Sequence, residues 1–258
     1  MIDTHCHILP IDDGAKDIEE SIEMIRIAEK EGIKKIINTS HFNKHKYITD
    51  KSTMKVGIDK LNDILKIKKI DVEILQGSEL YYSEDLIDRV DEICTLADSS
   101  YILLEFQINR FPENIKDIVY EFQLKGYKVI IAHPERYPEI REDISILKDI
   151  ISEGGYIQIN ASNIIASNKE MKKTCKEIIE NNYVHLIASD GHNTQNRKPQ
   201  LKEAYEYISK KYGVENAQKL FYTNPEKIIN NEDMLAINTK KKFKIKEIIK
   251  KLINNSEV

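Results

Sequence analysis

The chain has 258 residues, a formal net charge of −4 and a pI near 6.0, long enough for one large α/β domain with a substantial buried core. Its acidic balance lacks the electrostatic footprint of a duplex-binding protein, so nucleic acid is not an expected partner. Residues 1–7 run straight into a polar motif with no basic leader, no later run has the length of a membrane span, and Cys6, Cys94 and Cys175 show no metal or redox spacing. The expectation is a cytoplasmic protein with reduced thiols.

Short β-rich runs alternate with segments of helical period, the pattern of parallel strands joined by crossover helices. Strands are expected at 1–5, 35–40, 72–78, 101–106, 128–132, 156–160 and 184–189. The first helix, 17–31, carries an apolar stripe of Ile18, Ile22, Ile25 and Ala28 with Gly32 as C-cap. Further helices are expected at 84–92 behind an N-cap at Ser83, from Pro112 to near Gly126, and at 143–153, 168–181 and 199–212. Seven alternations without a composition break point to a closed or nearly closed barrel, with an open doubly wound sheet as the alternative. No glycine-rich phosphate loop or dinucleotide fingerprint follows any strand.

His5 and His7 alternate through Cys6, so on a strand both imidazoles project to one face. Such a pair alone is a modest signal. Almost every other expected strand also leads into a metal-competent residue: His41, Glu79, Glu105, His133, and Asp190 with His192. Five of the seven histidines fall in this series, at the carboxyl ends of strands where α/β active sites lie. Carboxylates crowded on one rim repel one another unless cations compensate them, and mixed imidazole and carboxylate donors suit Mn, Fe or Zn. Without cysteine pairs a structural zinc site is not expected. His45 and His185 fall outside the series and read as structural background.

Asp12 and Asp13 precede Gly14, where an ordinary Asx turn is the simpler reading. His5-Cys6 invites comparison with a cysteine-dependent phosphatase loop, but the position that needs arginine, six residues on, is Asp12, which disfavours a thiolate nucleophile. In a chain that strongly prefers lysine, Arg136 after His133-Pro134-Glu135 and Arg197 after His192-Asn193 suit a planar, bidentate phosphate clamp. Tyr81, Tyr82 and Tyr137 lie near the rim, where packing is the commoner role of tyrosine.

The motifs Asp3-Thr4-His5-Cys6-His7 with Asp12-Asp13-Gly14, Thr39-Ser40-His41, Gly77-Ser78-Glu79, Leu104-Glu105-Phe106, Ala132-His133-Pro134-Glu135-Arg136-Tyr137 and Ser189-Asp190-Gly191-His192-Asn193 are weak singly and specific in this order. Together they resemble the polymerase and histidinol phosphatase (PHP) superfamily, and more closely the manganese-dependent bacterial protein tyrosine phosphatases of capsular and exopolysaccharide loci, the CpsB/YwqE type. The likeness extends through Thr223-Asn224-Pro225. It implies a single-domain distorted (β/α)7 TIM-like barrel over residues 1–238 and a three-metal cluster, Mn²⁺ first, with Fe, Zn, Co or Mg as alternatives. It also implies His5, His7, Asp13, His41, Glu79, Glu105, His133, Asp190 and His192 as ligands, and Arg136 and Arg197 on phosphate. For Asp13 this overrides the turn reading.

The expected reaction is hydrolysis of a phosphomonoester, with phosphotyrosine on a bacterial tyrosine kinase as the substrate the resemblance implies. The alternatives are a small-molecule phosphatase such as histidinol phosphatase, a phosphodiesterase or exonuclease that the acidic pI disfavours, and a catalytically silent metal-binding scaffold. The lysine-rich tail 239–258 departs from the resemblance. As a helix its stripe of Ile245, Ile248, Ile249 and Leu252 would pack on the barrel or, flanked by lysines, dock on an anionic membrane surface.

Overall fold

The computed structural model describes residues 1–239 apart from 44, 45, 48, 49, 166 and 167. The expectations for His45 and for the lysine-rich tail lie outside the described residues.

Among the described residues nine strands make seven staves: β1 (Ile2–Cys6), β2 (Lys35–Asn38) continued by β3 (His41–Phe42), β4 (Glu73–Leu75) continued by β5 (Glu79–Tyr81), then β6 (Tyr101–Glu105), β7 (Lys128–Ala132), β8 (Tyr156–Asn160) and β9 (Leu186–Ala188). Their ladders form a sheet in the order β1-β2-β4 and another in the order β3-β5-β6-β7-β8-β9, with every pairing parallel. Closure comes where Cys6 bridges Gly191, with the His7 amide donating to the Gly191 carbonyl (2.8 Å) and the Asp190 amide to the His5 carbonyl (2.9 Å). A Cβ on Gly191 would sit 2.9 Å from Cys6 Sγ, so only glycine permits this approach. The result is a distorted barrel of seven staves, and the open sheet is excluded.

Two expected strands are broken. The runs 35–40 and 72–78 stop at Asn38 and Leu75, and His41 and Glu79 open new short strands where the sequence suggested the ends of old ones. Packing explains the break at Gly77, where a Cβ would lie 2.8 Å from Ile37 Cγ2 and 2.9 Å from Leu96 Cδ2. The two halves of each stave thereby join different ladders.

The helix Ile18–Glu31 starts on Asp17, which accepts from the Glu20 amide, and ends on Gly32 at φ 83°, as the sequence indicated. Its buried face is shifted from the expected stripe to Ser21, Met24, Ile25 and Ala28, because the Ser21 hydroxyl donates to the Ile8 carbonyl at 2.6 Å. The segment 84–92 is a 3₁₀ helix, Glu84–Arg89, and Ser83 makes no side-chain cap. Helices expected at Pro112 and Pro199 begin at Ile115 and Lys202, since each proline belongs to a rim loop. Lys51–Ile67 is a helix the sequence reading passed over, although Asp50 caps it and Met54, Ile58, Leu61 and Leu65 form its buried stripe. Among the described residues, no helix is long and apolar enough to cross a membrane.

One large core lies between staves and helices, and a smaller one fills the barrel floor with Ile37, Tyr101, Leu103, Ile130, Ala132 and Leu186, closed by Ile228 and Met234. Alternation along the strands then sets what faces the rim. Two residues above Leu103 is Glu105, and β8 supplies Gln158 and Asn160.

Candidate metal centre

His5 and His7 are fully buried, with their Nε2 atoms 3.3 Å apart and each 3.2 Å from Glu79 Oε2. Their other nitrogens are occupied: His5 Nδ1 lies 2.9 Å from Gln158 Oε1, and His7 Nδ1 lies 2.7 Å from Asp12 Oδ2. An imidazole held at one nitrogen by an oxygen presents the other nitrogen as a metal donor with its ring orientation fixed. Glu79, at the start of β5, also faces His133 Nε2 through Oε1 (2.9 Å) and His41 Nδ1 through Oε2 (3.4 Å).

Glu105 reaches His41 and His133, each at 3.7 Å. Asp190 Oδ1 lies 3.5 Å from His5 Nε2. Half-exposed Asp13 places Oδ1 3.4 Å from His41 Nε2 and 3.6 Å from His192 Nε2, and the His192 ring stacks on His7 at 3.8 Å. All nine residues expected as ligands fall into four overlapping groups, His7-Asp13-His41-His192, His5-His7-Asp190, His5-Glu79-His133 and His41-Glu79-Glu105, with donor atoms inside each group within 4.8 Å of one another.

Crowding of carboxylates and imidazoles in a buried site sets their protonation. Burial, then Glu79 beside it, pushes the Glu105 carboxyl up to about 8, a carboxylic acid at neutral pH. Burial opposes charge on His7, yet its bonds to Asp12 and Glu79 outweigh that and raise it to about 10. Burial would likewise raise Glu79, but His5 and His41 hold it well below the usual carboxylate range. Protons on imidazole and carboxyl thus balance the buried carboxylates, and divalent cations can replace those protons on the same atoms. Five imidazoles and four carboxylates fit Mn, Fe or Zn as a donor set.

Asp190 links this cluster to the two arginines. Arg197 Nη2 donates to its Oδ1 at 2.7 Å, and Arg136 Nη1 lies 3.6 Å from Oδ2. Both guanidiniums line a cleft of about 310 Å³ with Asn160, Asn163, Lys198 and Gln200. Arg141 Nη1 holds the Arg136 carbonyl at 2.7 Å, fixing that loop. His133 (φ 33°) and Asp190 (φ 54°) are left-handed non-glycine residues where the chain leaves a strand, a strained backbone of the kind that concentrates at functional sites.

Sequence reasoning gave Asp12 only a turn. It does make that turn, accepting from the Gly14 amide at 3.0 Å, and it also orients His7 and accepts from the His41 amide at 2.8 Å. Gln158, Asn160 and Glu135 went unnoticed as well; their one signal was polar residues in an otherwise apolar strand, Tyr156–Asn160, and beside a ligand motif. His185 stands apart from the cluster, accepting from the Ile157 amide at 3.2 Å. Tyr137 is fully buried and its hydroxyl accepts from the Phe106 amide at 3.0 Å, so it packs, whereas Tyr81 and Tyr82 line a second cleft with Phe106 and Arg110. Cys6 is buried on the strand face opposite His5 and His7, and burial, then Asp3, pushes its thiol well above the ordinary value.

Comparison with known proteins agrees with this geometry. The tyrosine-protein phosphatase YwqE of Bacillus subtilis (strain 168) is 38% identical over 238 residues, covering 90% of this chain and 92% of YwqE. The tyrosine-protein phosphatase CpsB of Streptococcus pneumoniae is 34% identical over 241 residues, covering 90% and 99%. A crystal structure from the work on YwqE and CpsB as unique metal-dependent tyrosine phosphatases superposes with a TM-score of 0.88 at 35% identity, covering 93% of this chain and 98% of that one. A Lactococcus lactis histidinol phosphate phosphatase shares the fold alone, at 13% identity and a TM-score of 0.56 over 85% and 94% of the two chains. The model of the capsular polysaccharide synthesis family, CpsB/CapC, matches residues 1–230, and the chain belongs to that family.

Proposed function

We propose that this chain is a metal-dependent protein tyrosine phosphatase that removes phosphate from a tyrosine kinase of capsular or exopolysaccharide assembly. The observation that carries the reading is the meeting of the nine-residue donor cluster and two guanidiniums on one buried carboxylate, Asp190. His5, His7, Asp13, His41, Glu79, Glu105, His133, Asp190 and His192 would hold a cluster of three ions, Mn²⁺ in the cell. Such ions, when bound, supply Lewis acidity toward a phosphoryl oxygen and lower the pKa of an attacking water.

The chain's own residues do the rest. Arg136 and Arg197, partly exposed at 26% and 41%, offer planar N–H forks to the non-bridging phosphoryl oxygens. Charge that develops there in the transition state meets donors already in place. Asp12 and Gln158 keep His7 and His5 turned toward Glu79. A phenolate leaves without a strong general acid, so none of the rim histidines has to be withheld from metal. The lysine-rich tail, residues 240–258, would either pack its apolar stripe on the barrel or add salt-sensitive contact with the anionic membrane surface where such a kinase presents its phosphotyrosines.

The test is phosphate release from a phosphotyrosine peptide and from L-histidinol phosphate by the full chain, with and without chelator. Activity on the peptide that chelation abolishes and Mn²⁺ restores best is the expected result. Full activity in metal-free protein, or turnover of histidinol phosphate alone, overturns the proposal.

A further inference from the structure

His5 and Asp190 share one of the four donor groups, and a second connection between them runs behind the donor atoms through β8. Gln158 and Asn160 lie two residues apart on the same strand face, 0% and 4% exposed. His5 Nδ1 meets Gln158 Oε1 at 2.9 Å, Gln158 Nε2 meets Asn160 Oδ1 at 2.9 Å, and Asn160 Nδ2 meets Asp190 Oδ2 at 2.7 Å.

The direction of this chain is dictated from one end. Asp190 faces two guanidiniums, so it is an ionised carboxylate and only accepts. Asn160 must therefore give it an N–H, which turns the Asn160 carbonyl toward Gln158. Gln158 must then donate, which turns its own carbonyl toward His5. His5 is then held with a proton on Nδ1, which leaves Nε2, the atom that faces Glu79 and Asp190, as the nitrogen that can take an ion. The relay has a fixed footing: Glu135, fully buried, accepts from the Asn160 backbone amide at 2.8 Å and from Asn163 Nδ2 at 2.9 Å.

We propose that Gln158 and Asn160 are positioning residues that set the donor tautomer of His5 and the orientation of Asp190 together, so that one ion site is preorganised from both sides by a single polar relay. The proposal rests on the ligand set given above. It explains why amide side chains occupy two successive inward positions of a strand that one level lower carries Tyr156 toward the apolar floor. A neutral amide accepts at one end and donates at the other, as the relay requires at both positions.

The experiment uses the full chain stripped of metal. Mn²⁺ affinity is measured by calorimetry, and the site of the His5 proton by ¹⁵N shifts of labelled imidazole after loading with diamagnetic Zn²⁺. Gln158→Met, close in volume but without donor or acceptor, is expected to leave the His5 proton no longer fixed on Nδ1 and to weaken Mn²⁺ binding by about 10- to 100-fold. Gln158→Glu keeps an acceptor for His5 and loses the donor to Asn160, so the tautomer stays and affinity falls by about tenfold. Asn160→Asp, isosteric, sets a carboxylate against Asp190 and lowers affinity with the His5 tautomer no longer fixed.

Wild-type affinity and tautomer in folded Gln158→Met and Asn160→Asp, beside a His5→Ala variant that loses binding, overturn the relay and leave the ligand set standing. Wild-type affinity in His5→Ala overturns the ligand set and the relay with it. Should Gln158→Met fail to fold, Gln158→Glu and Asn160→Asp decide alone, with unchanged affinity in both counting against the relay.

Discussion

The two ends of the barrel interior are built by the same strands and obey different physics. At the floor, Tyr101, Leu103, Ile130, Ala132 and Leu186 pack with Ile37, and each is held by shape and exclusion of water. One or two inward positions higher, about 7 to 13 Å along the strand, Glu105, Asn160 and Asp190 belong to a shell of donors and acceptors. The floor constrains volume and tolerates related apolar residues. The rim constrains individual atoms, because each buried polar group needs its particular partner. A change at the floor should therefore cost stability with the chemistry left intact, and a change at the rim the reverse.

Glu79 offers the sharpest break at the rim, since its two oxygens face His5, His7, His41 and His133. Glu79→Gln should lower turnover by about 10³-fold or more, with loss of bound metal, while the melting temperature falls little or rises. Metal counts per chain beside steady-state rates check it, and near-normal turnover would remove Glu79 from the cluster. At the floor, Leu103→Ala should cost about 3 kcal/mol in urea unfolding and leave turnover per folded molecule near normal. A large loss of turnover there would mean that floor and rim are not separable.

The arginines test the rim at its outer edge. Arg136→Ala and Arg197→Ala should each reduce turnover by about 10²-fold with metal content near normal, because Asn160 still holds Asp190. Lysine at either position should rescue only part, lacking the guanidinium fork. Unchanged kinetics in both alanine variants would make them surface residues.

His185, whose ring meets Tyr156 of the floor edge to face at 5.1 Å, gives the smallest effect and the one with a pH signature. Burial lowers its pKa from 6.5 to about 4, so between these values the unfolded chain binds a proton that the folded one refuses. Stability contributed by neutral His185 is complete above pH 6.5 and is lost as pH falls toward 4. The loss is about 2 kcal/mol by pH 5. His185→Gln should flatten that part of the acid limb relative to wild type in urea titrations at pH 7 and 5; parallel limbs would assign the acid sensitivity elsewhere.

Much of this architecture was legible in the residues. β7 and β8 coincide with the expected strands because Lys128–Ala132 and Tyr156–Asn160 are β-rich runs bounded by turns, and local pattern suffices when a strand is regular. The helix Lys51–Ile67 was equally legible, with its cap and stripe in plain view, and was passed over. Eight of the nine candidate ligands could be gathered from strand ends because parallel staves deliver the residues at their carboxyl ends to one rim, whereas Asp13, in a loop, came from the resemblance alone. Their spacing along the chain determined the fold class and the chemistry of the donor set.

Tertiary structure alone decided the second layer. Asp12 reaches His7 across a loop, and Gln158 reaches His5 across 153 positions of sequence, so no local pattern marks either partner. The breaks in the second and third staves arise from packing of Gly77 against Ile37 and Leu96, a contact between segments distant in sequence. Local propensity and alternation fix which face a side chain takes, since they depend on neighbours one to four residues away. The partner it meets on that face depends on how the barrel closes, which here turns on the approach of Gly191 to Cys6 at the seam between the last stave and the first.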